Sequence, residues 1–215
     1  ISNLSAQTLR EIIEEAKIRK SKRTNLNKSA ADFDKPFAGK SMIMIFEKPS
    51  TRTRISFDIA AKQLGGSSII LNPDVIHYGK GDESIKDTAK VLSEYADIIM
   101  MRTSLHKNLA EFAKYSGIPV INGLSEQSHP CQIMSDILTF EEIKGNIKNK
   151  TITWLGDGNN NMSNSFIEAS AKFGFKLNIG CPDKYKPSKN IIAWAKKNKA
   201  NITITKNPNE AVKDT

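Results

Sequence analysis

Met42-Ile-Met-Ile-Phe46-Glu-Lys-Pro-Ser50-Thr-Arg-Thr-Arg54-Ile-Ser-Phe-Asp58 is the stretch that decides how this chain folds. Its first five residues form an unbroken apolar run of strand length, the pattern of a strand buried on both faces. From Ile55 the spacing changes. Ile55, Ile59 and Leu64, with the small Ala60 and Ala61, recur at helical intervals. A strand that turns directly into a helix leaves backbone N–H groups free at the helix start, beside the positive end of the helix dipole. Ser50, Thr51 and Thr53 add hydroxyls there, and Arg52 and Arg54 add guanidinium groups. Together they make a seat for a phosphate dianion. Helix capping alone would account for Ser50, and an exposed arginine is usually only a solvated charge. Neither accounts for two arginines alternating with threonines straight after a proline-ended strand.

Outward from this junction, strand-like and helix-like segments alternate. An amphipathic opening helix (Leu4 to Ile18) and a polar connection precede strands at Ser41–Phe46, Ser67–Leu71, Ile98–Arg102 and Pro119–Asn122. Helical patterns at Ser50–Leu64, Ser84–Glu94 and Leu109–Ser116 fall between them, and a further helix runs from Pro130 to Ile143. Apolar strands separated by amphipathic helices predict a parallel sheet covered on both faces. After the polar joint Lys144-Gly-Asn-Ile-Lys-Asn-Lys150 the rhythm restarts. Strands are expected at Thr151–Leu155, Lys176–Cys181 and Asn201–Thr205, with helices from about Ser163 to Phe173 and over Ser188–Lys199. Asn207–Thr215 reads as the start of another helix, so the second unit is expected to be incomplete in this chain. The reading is α/β: two doubly wound parallel-sheet domains, residues 1–146 and 147–215, the second partial. The first residue is Ile1, and the true start is expected to lie upstream.

Bulk properties narrow the class. The chain has 215 residues, 39% of them hydrophobic and 26% charged, the balance of an ordinary soluble globular protein. No apolar run approaches the length that crosses a bilayer, and no signal-peptide pattern opens the chain. Cys131 and Cys181 form no disulfide framework and read as free thiols in a reducing, cytosolic compartment. A net charge of +9 invites a nucleic-acid reading. The densest basic run, Lys17-Ile-Arg-Lys-Ser-Lys-Arg23, instead reads as the solvated end of the opening helix, with no interleaved aromatics to stack on bases. A small anionic substrate accounts for the excess better than DNA or RNA, and no membrane partner is expected.

Three more positions stand at strand ends or helix starts, where ligands bind in open α/β sheets. Arg102 closes an apolar strand and must surface at the carboxyl edge of the sheet. His129 precedes Pro130 at a helix start, with Gln132 one turn on, so both side chains can reach one ligand. Cys131 points elsewhere and has no nucleophilic role. Trp154-Leu-Gly-Asp-Gly-Asn-Asn-Asn-Met162 resembles a dinucleotide loop but lacks the third glycine; its asparagines suit the ammonium and carboxylate of an amino acid.

Phe-x-Lys-Pro-Ser-Thr-Arg-Thr-Arg, the Arg102-Thr strand end, Asn122-Gly-Leu-Ser, His129-Pro-Cys-Gln and Gly156-Asp-Gly-Asn-Asn, in this order, resemble the ornithine carbamoyltransferases over essentially the whole chain. Lys48 and the Gly-Asp-Gly-Asn-Asn loop favour that branch over the aspartate one. The resemblance implies that Ser50, Thr51, Arg52 and Thr53 hold the phosphate of carbamoyl phosphate. Arg102, His129, Gln132 and Thr53 would engage its carbamoyl end, with Arg102, His129 and Thr53 catalytic. Asn161 would bind L-ornithine, with Asn160 the alternative register because the loop carries an extra asparagine. It further implies a cytoplasmic homotrimer with active sites between subunits and neither metal nor cofactor. In the family a glutamine from a neighbouring subunit completes the carbamoyl phosphate site; here His77 stands at the comparable position. The family's Asp-x-x-x-Ser-Met-Gly and His-Cys-Leu-Pro segments and a late arginine are not among these 215 residues. Two readings remain open: another acceptor amine (aspartate, N-acetylornithine or putrescine), or a non-catalytic anion-binding fragment.

Overall fold

The computed structural model describes residues 1–72, 83–213 and 215. In chain order its elements are α1 (Ala6–Lys22), β1 (Ser41–Phe46), α2 (Thr51–Gln63), β2 (Ser67–Leu71), α3 (Ile85–Ser93), β3 (Ile98–Arg102), α4 (His106–Tyr115) and β4 (Val120–Leu124). Then follow α5 (Pro130–Lys144), β5 (Thr151–Leu155), α6 (Asn161–Phe173), β6 (Lys176–Gly180), α7 (Lys189–Lys197), β7 (Ile202–Thr205) and the single turn α8 (Pro208–Ala211). Backbone packing divides them into two compact units, Lys22–Glu126 and Ile1–Ser21 with Gln127–Thr215.

The unit Lys22–Glu126 is built on a four-stranded parallel sheet in the order β2-β1-β3-β4. Alternate residues of the apolar strands serve opposite faces. Met42, Met44, Phe46 and Met100 pack with Ala61 and Phe57 of α2 on one side. Ile43, Ile45, Ile99 and Met101 pack with Ala89 of α3 and with Leu109 and Phe112 of α4 on the other. Both faces being covered is why these strands carry no polar alternation; each fully buried aliphatic side chain contributes about 1.5–3 kcal/mol.

β1 sits between β2 and β3, so the chain leaves it towards one neighbour and returns beside the other. Such a switch point opens a crevice at the carboxyl ends of the strands. The register sets Phe46 opposite Arg102 and thereby brings the turn after β1 next to that arginine. β4 carries one extra residue here: Met101 pairs with Asn122 and Arg102 with Leu124. Gly123 falls between them, and a Cβ there would lie 2.3 Å from Met100 Sδ and 3.3 Å from the Met101 carbonyl oxygen. The bulge therefore requires glycine, and it redirects the end of the ladder that carries Arg102.

The other unit holds a three-stranded parallel sheet, β5-β6-β7. Leu9 and Ile13 of α1, Ile133 and Ile137 of α5, and Ile167 and Phe173 of α6 share one core with Leu177 and Ile179 of β6. A buried carboxylate fastens the helices. Glu141 accepts from Arg10 at 2.7 Å, Lys17 at 2.8 Å and the backbone N–H of Ile147 at 3.1 Å. The polar joint at Lys144–Lys150 lies inside this unit, because the helix before it and the sheet after it share that core. The 146/147 division follows the change of sequence rhythm, whereas the division at Glu126 follows buried contact.

Candidate active site

At the carboxyl end of β1, Ser50 is the N-cap residue of α2, in extended conformation (φ −159°, ψ 104°). Its hydroxyl makes no capping hydrogen bond, although a serine in this place ordinarily accepts from the second or third helical N–H. The first turn of α2 contains no acidic residue. Thr51 and Arg52 are exposed; Ser50 and Thr53 are half-buried. The end of β3 meets this turn directly: Arg102 Nη1 donates to Thr53 Oγ1 at 3.3 Å. Arg102 Nε is buried with no partner among the described residues. Burial and, after it, the charge of Arg52 lower the pKa of the Arg102 guanidinium. Two cations near each other, free helical N–H groups and an uncommitted hydroxyl are unfavourable alone, and one dianion would relieve them together. Arg54 does something different. It donates to Asn72 Oδ1 and stacks over the Phe46 ring at 5.4 Å, which holds the strand–helix junction in shape.

Glu47 was missed at the level of sequence. Its N–H donates to the Arg102 carbonyl at 2.9 Å. Its Oε2 accepts from Thr103 Oγ1 and from the Ser104 N–H at 3.1 Å, with Thr103 fully buried. An acidic residue immediately before a basic anion turn is the signal that could have flagged it, since such a charge must be occupied elsewhere if an anion is to bind.

In the other unit His129 is the N-cap residue of α5, with Pro130 at the first helical position and no side-chain cap bond. Gln132, one turn on, is exposed, and its Nε2 donates to Asp136 Oδ1 at 2.8 Å. Burial pushes the Cys131 thiol up to about 11, so it stays protonated at neutral pH and is a poor nucleophile. After β5, Asn160 caps α6. Its Oδ1 accepts from the N–H groups of Met162 (2.9 Å) and Ser163 (3.0 Å), and its Nδ2 donates to the Asp157 carbonyl at 2.6 Å. Both ends of that amide are committed to backbone. Asn161 is the next residue and opens the helix. Two residues of α6, also missed, hold the segment that leads into α5. Ser165 Oγ accepts from the His129 N–H at 2.8 Å, and Asn164 Nδ2 donates to the Gln127 carbonyl at 3.1 Å.

The first sheet thus gathers Ser50, Thr51, Arg52, Thr53 and Arg102, and the second unit ties His129 to the turn that carries Asn161. His77 lies outside the described residues. Among the described residues no group of three or more His, Cys, Asp or Glu side chains is placed to share a metal ion.

A family model described as "Aspartate/ornithine carbamoyltransferase, carbamoyl-P binding domain" matches residues 1–142, and one described as "Aspartate/ornithine carbamoyltransferase, Asp/Orn binding domain" matches residues 148–215. The ornithine carbamoyltransferase of Brucella ovis is 48% identical over 211 residues, which are 98% of this chain and 65% of the relative. That of Rhizobium meliloti is 48% identical over 212 residues, 99% of this chain and 68% of the relative. Among solved structures, the ornithine carbamoyltransferase from Pyrococcus furiosus superimposes with a TM-score of 0.90 at 38% identity, covering 98% of this chain and 66% of that one.

Proposed function

The chain belongs to the aspartate/ornithine carbamoyltransferase family, and from that premise we propose that the intact protein transfers the carbamoyl group of carbamoyl phosphate to the δ-amine of L-ornithine, giving L-citrulline and phosphate. The chain spans 65% of the length of the Brucella ovis relative, so activity, substrates and assembly are assigned to the whole molecule. One observation carries the reading. The turn Ser50–Thr53 presents a non-capping hydroxyl, an exposed Arg52 and a bond from Arg102 to Thr53, with no acid in its first turn.

In this proposal Ser50, Thr51, Arg52 and Thr53 grip the phosphate. Arg102, His129 and Thr53 donate to the carbamoyl oxygen, where negative charge develops as the neutral amine attacks the carbon. Gln132 holds the carbamoyl amide, a role for which it must exchange Asp136 for substrate. The new C–N bond forms as the C–O bond to phosphate breaks, and the departing phosphate takes the amine proton, so no separate protein base is needed. Residues 1–146 supply the carbamoyl phosphate side and 147–215 the amino-acid side, in line with the two family matches. For ornithine we assign Asn161 over Asn160, because the Asn160 amide is already used in capping. His77 is proposed as a donor to carbamoyl phosphate from a neighbouring subunit of a cytoplasmic homotrimer, in arginine metabolism. Colorimetric citrulline formation from carbamoyl phosphate by the intact protein tests the assignment. Ornithine must be the preferred acceptor over aspartate, N-acetylornithine and putrescine; equal or better turnover of any of these would change it.

A further inference from the structure

His129 and Asn161 are separated by 32 positions of sequence, yet one hydroxyl joins their backbones. The Ser165 Oγ accepts the His129 N–H at 2.8 Å and donates to the Asn161 carbonyl at 2.8 Å. Its side chain is fully buried, at 0% exposure. A serine that back-bonds to the carbonyl four residues earlier is common inside helices and by itself says nothing. The second bond is what matters here. His129 precedes Pro130, which has no N–H, so the backbone at the start of α5 has few donors with which to fix itself. Ser165 takes up one of them, and Asn164 holds the Gln127 carbonyl of the same segment at 3.1 Å.

We propose that Ser165 is a positioning residue that sets the distance between the acceptor amine and the carbamoyl carbon. It fixes the backbone of Asn161 and that of His129 to one rotamer of one short side chain. This rests on the reading above, in which Asn161 holds ornithine and His129 the carbamoyl oxygen. Bond formation needs the reacting atoms near 3–3.5 Å, and a displacement of about 1 Å costs on the order of 100-fold in rate. A serine has one rotatable carbon–carbon bond and no slack, whereas a water bridge in its place would leave the two backbones free to drift. Its loss therefore affects the spacing of two bound substrates and leaves the contacts made to either one alone.

The test uses the intact protein. Ser165→Ala is expected to lower kcat by about 10- to 100-fold while each KM stays within about threefold, since neither substrate loses a direct contact. Amide hydrogen exchange at His129 is expected to speed up by about tenfold, because its acceptor is gone, with little change at α6 residues past Ala169. Ser165→Cys, close in size and weaker in hydrogen bonding, should fall between, and it stands in if the alanine variant does not fold. Unchanged kcat with both substrates bound would overturn the positioning role and leave the catalytic reading intact. So would a rise in one KM that accounts for the whole loss. If the unaltered protein forms no citrulline from ornithine, the catalytic reading falls and this inference with it.

Discussion

Replacing Ser50 by alanine separates binding from stability. A working N-cap serine contributes about 1 kcal/mol, and its removal lowers protein stability accordingly. Ser50 occupies the cap position, but its hydroxyl makes no capping bond. Ser50→Ala should therefore leave the urea midpoint of the unliganded protein within about 0.5 kcal/mol of the unaltered one. The hydroxyl is instead assigned to a phosphate dianion, and a hydrogen bond to a charged group is worth about 1.5–3 kcal/mol. At about 1.4 kcal/mol per decade, carbamoyl phosphate should bind roughly 10- to 150-fold more weakly. Isothermal calorimetry reads the second quantity and chemical denaturation the first. Asn160→Ala is the internal control: that amide does cap its helix through Met162 and Ser163, so the variant should lose about 1 kcal/mol of stability. A Ser50→Ala protein destabilised by about 1 kcal/mol that bound carbamoyl phosphate as before would refute the assignment of this turn.

Three further outcomes follow from the packing. Burial pushes the Glu141 carboxyl up, but bonds from Lys17, Arg10 and the Ile147 N–H outweigh it and leave its pKa lowered. Its stabilisation is thus complete above the unfolded value of about 4.3 and is lost as pH falls through the folded one; Glu141→Ala should cost about 2–3 kcal/mol at pH 7 and flatten that acid limb in urea titrations. Gly123→Ala should destabilise by about 1–3 kcal/mol, because the new Cβ meets the buried Met100 side chain; thermal melts together with carbamoyl phosphate titration would show both the loss and any shift of Arg102. The Cys131 thiol, raised to about 11, should react slowly with iodoacetamide at pH 8 and progressively faster towards pH 11, as followed by peptide mass spectrometry; rapid labelling at pH 7 would contradict its burial.

β1 and β3 were legible because strands covered on both faces of a parallel sheet are unbroken apolar runs, whereas β2, at the sheet edge with Ile69 47% exposed, is marked only by its short apolar end. Ser41–Phe46, Ser67–Leu71 and Ile98–Arg102 are bounded in the structure as the sequence suggests. Helix starts were less so. α4 begins at His106, three residues before the expected Leu109, because its first N–H is bound by both carboxylate oxygens of Glu126, twenty residues away. No local pattern encodes a cap supplied from that distance. α6 begins at Asn161, two residues early, because Asn160 rather than a later residue caps it. At the candidate site, Ser50–Thr53 and the terminal Arg102 stand out in the sequence by residue type and strand-end position, whereas Arg54, read with them as part of one seat, turns to Asn72 and the Phe46 ring. The bonds of Glu47 to Thr103 and of Ser165 to His129 were not, because each joins side chain to distant chain and leaves no periodic trace.

The carboxylate that fastens α1 has a consequence for biosynthesis. Glu141 follows Arg10 by 131 residues. At a synthesis rate of roughly 5–20 residues per second, the amphipathic opening helix leaves the ribosome about 7–26 s before its partner exists. Throughout that interval Leu9 and Ile13, which end fully buried, have no core to enter. The segment Lys22–Glu126 can meanwhile close its own four-stranded sheet. Until residues 133–179 follow, the apolar face of the opening helix is surface without a partner, the kind of transient exposure that makes partly folded chains prone to aggregate.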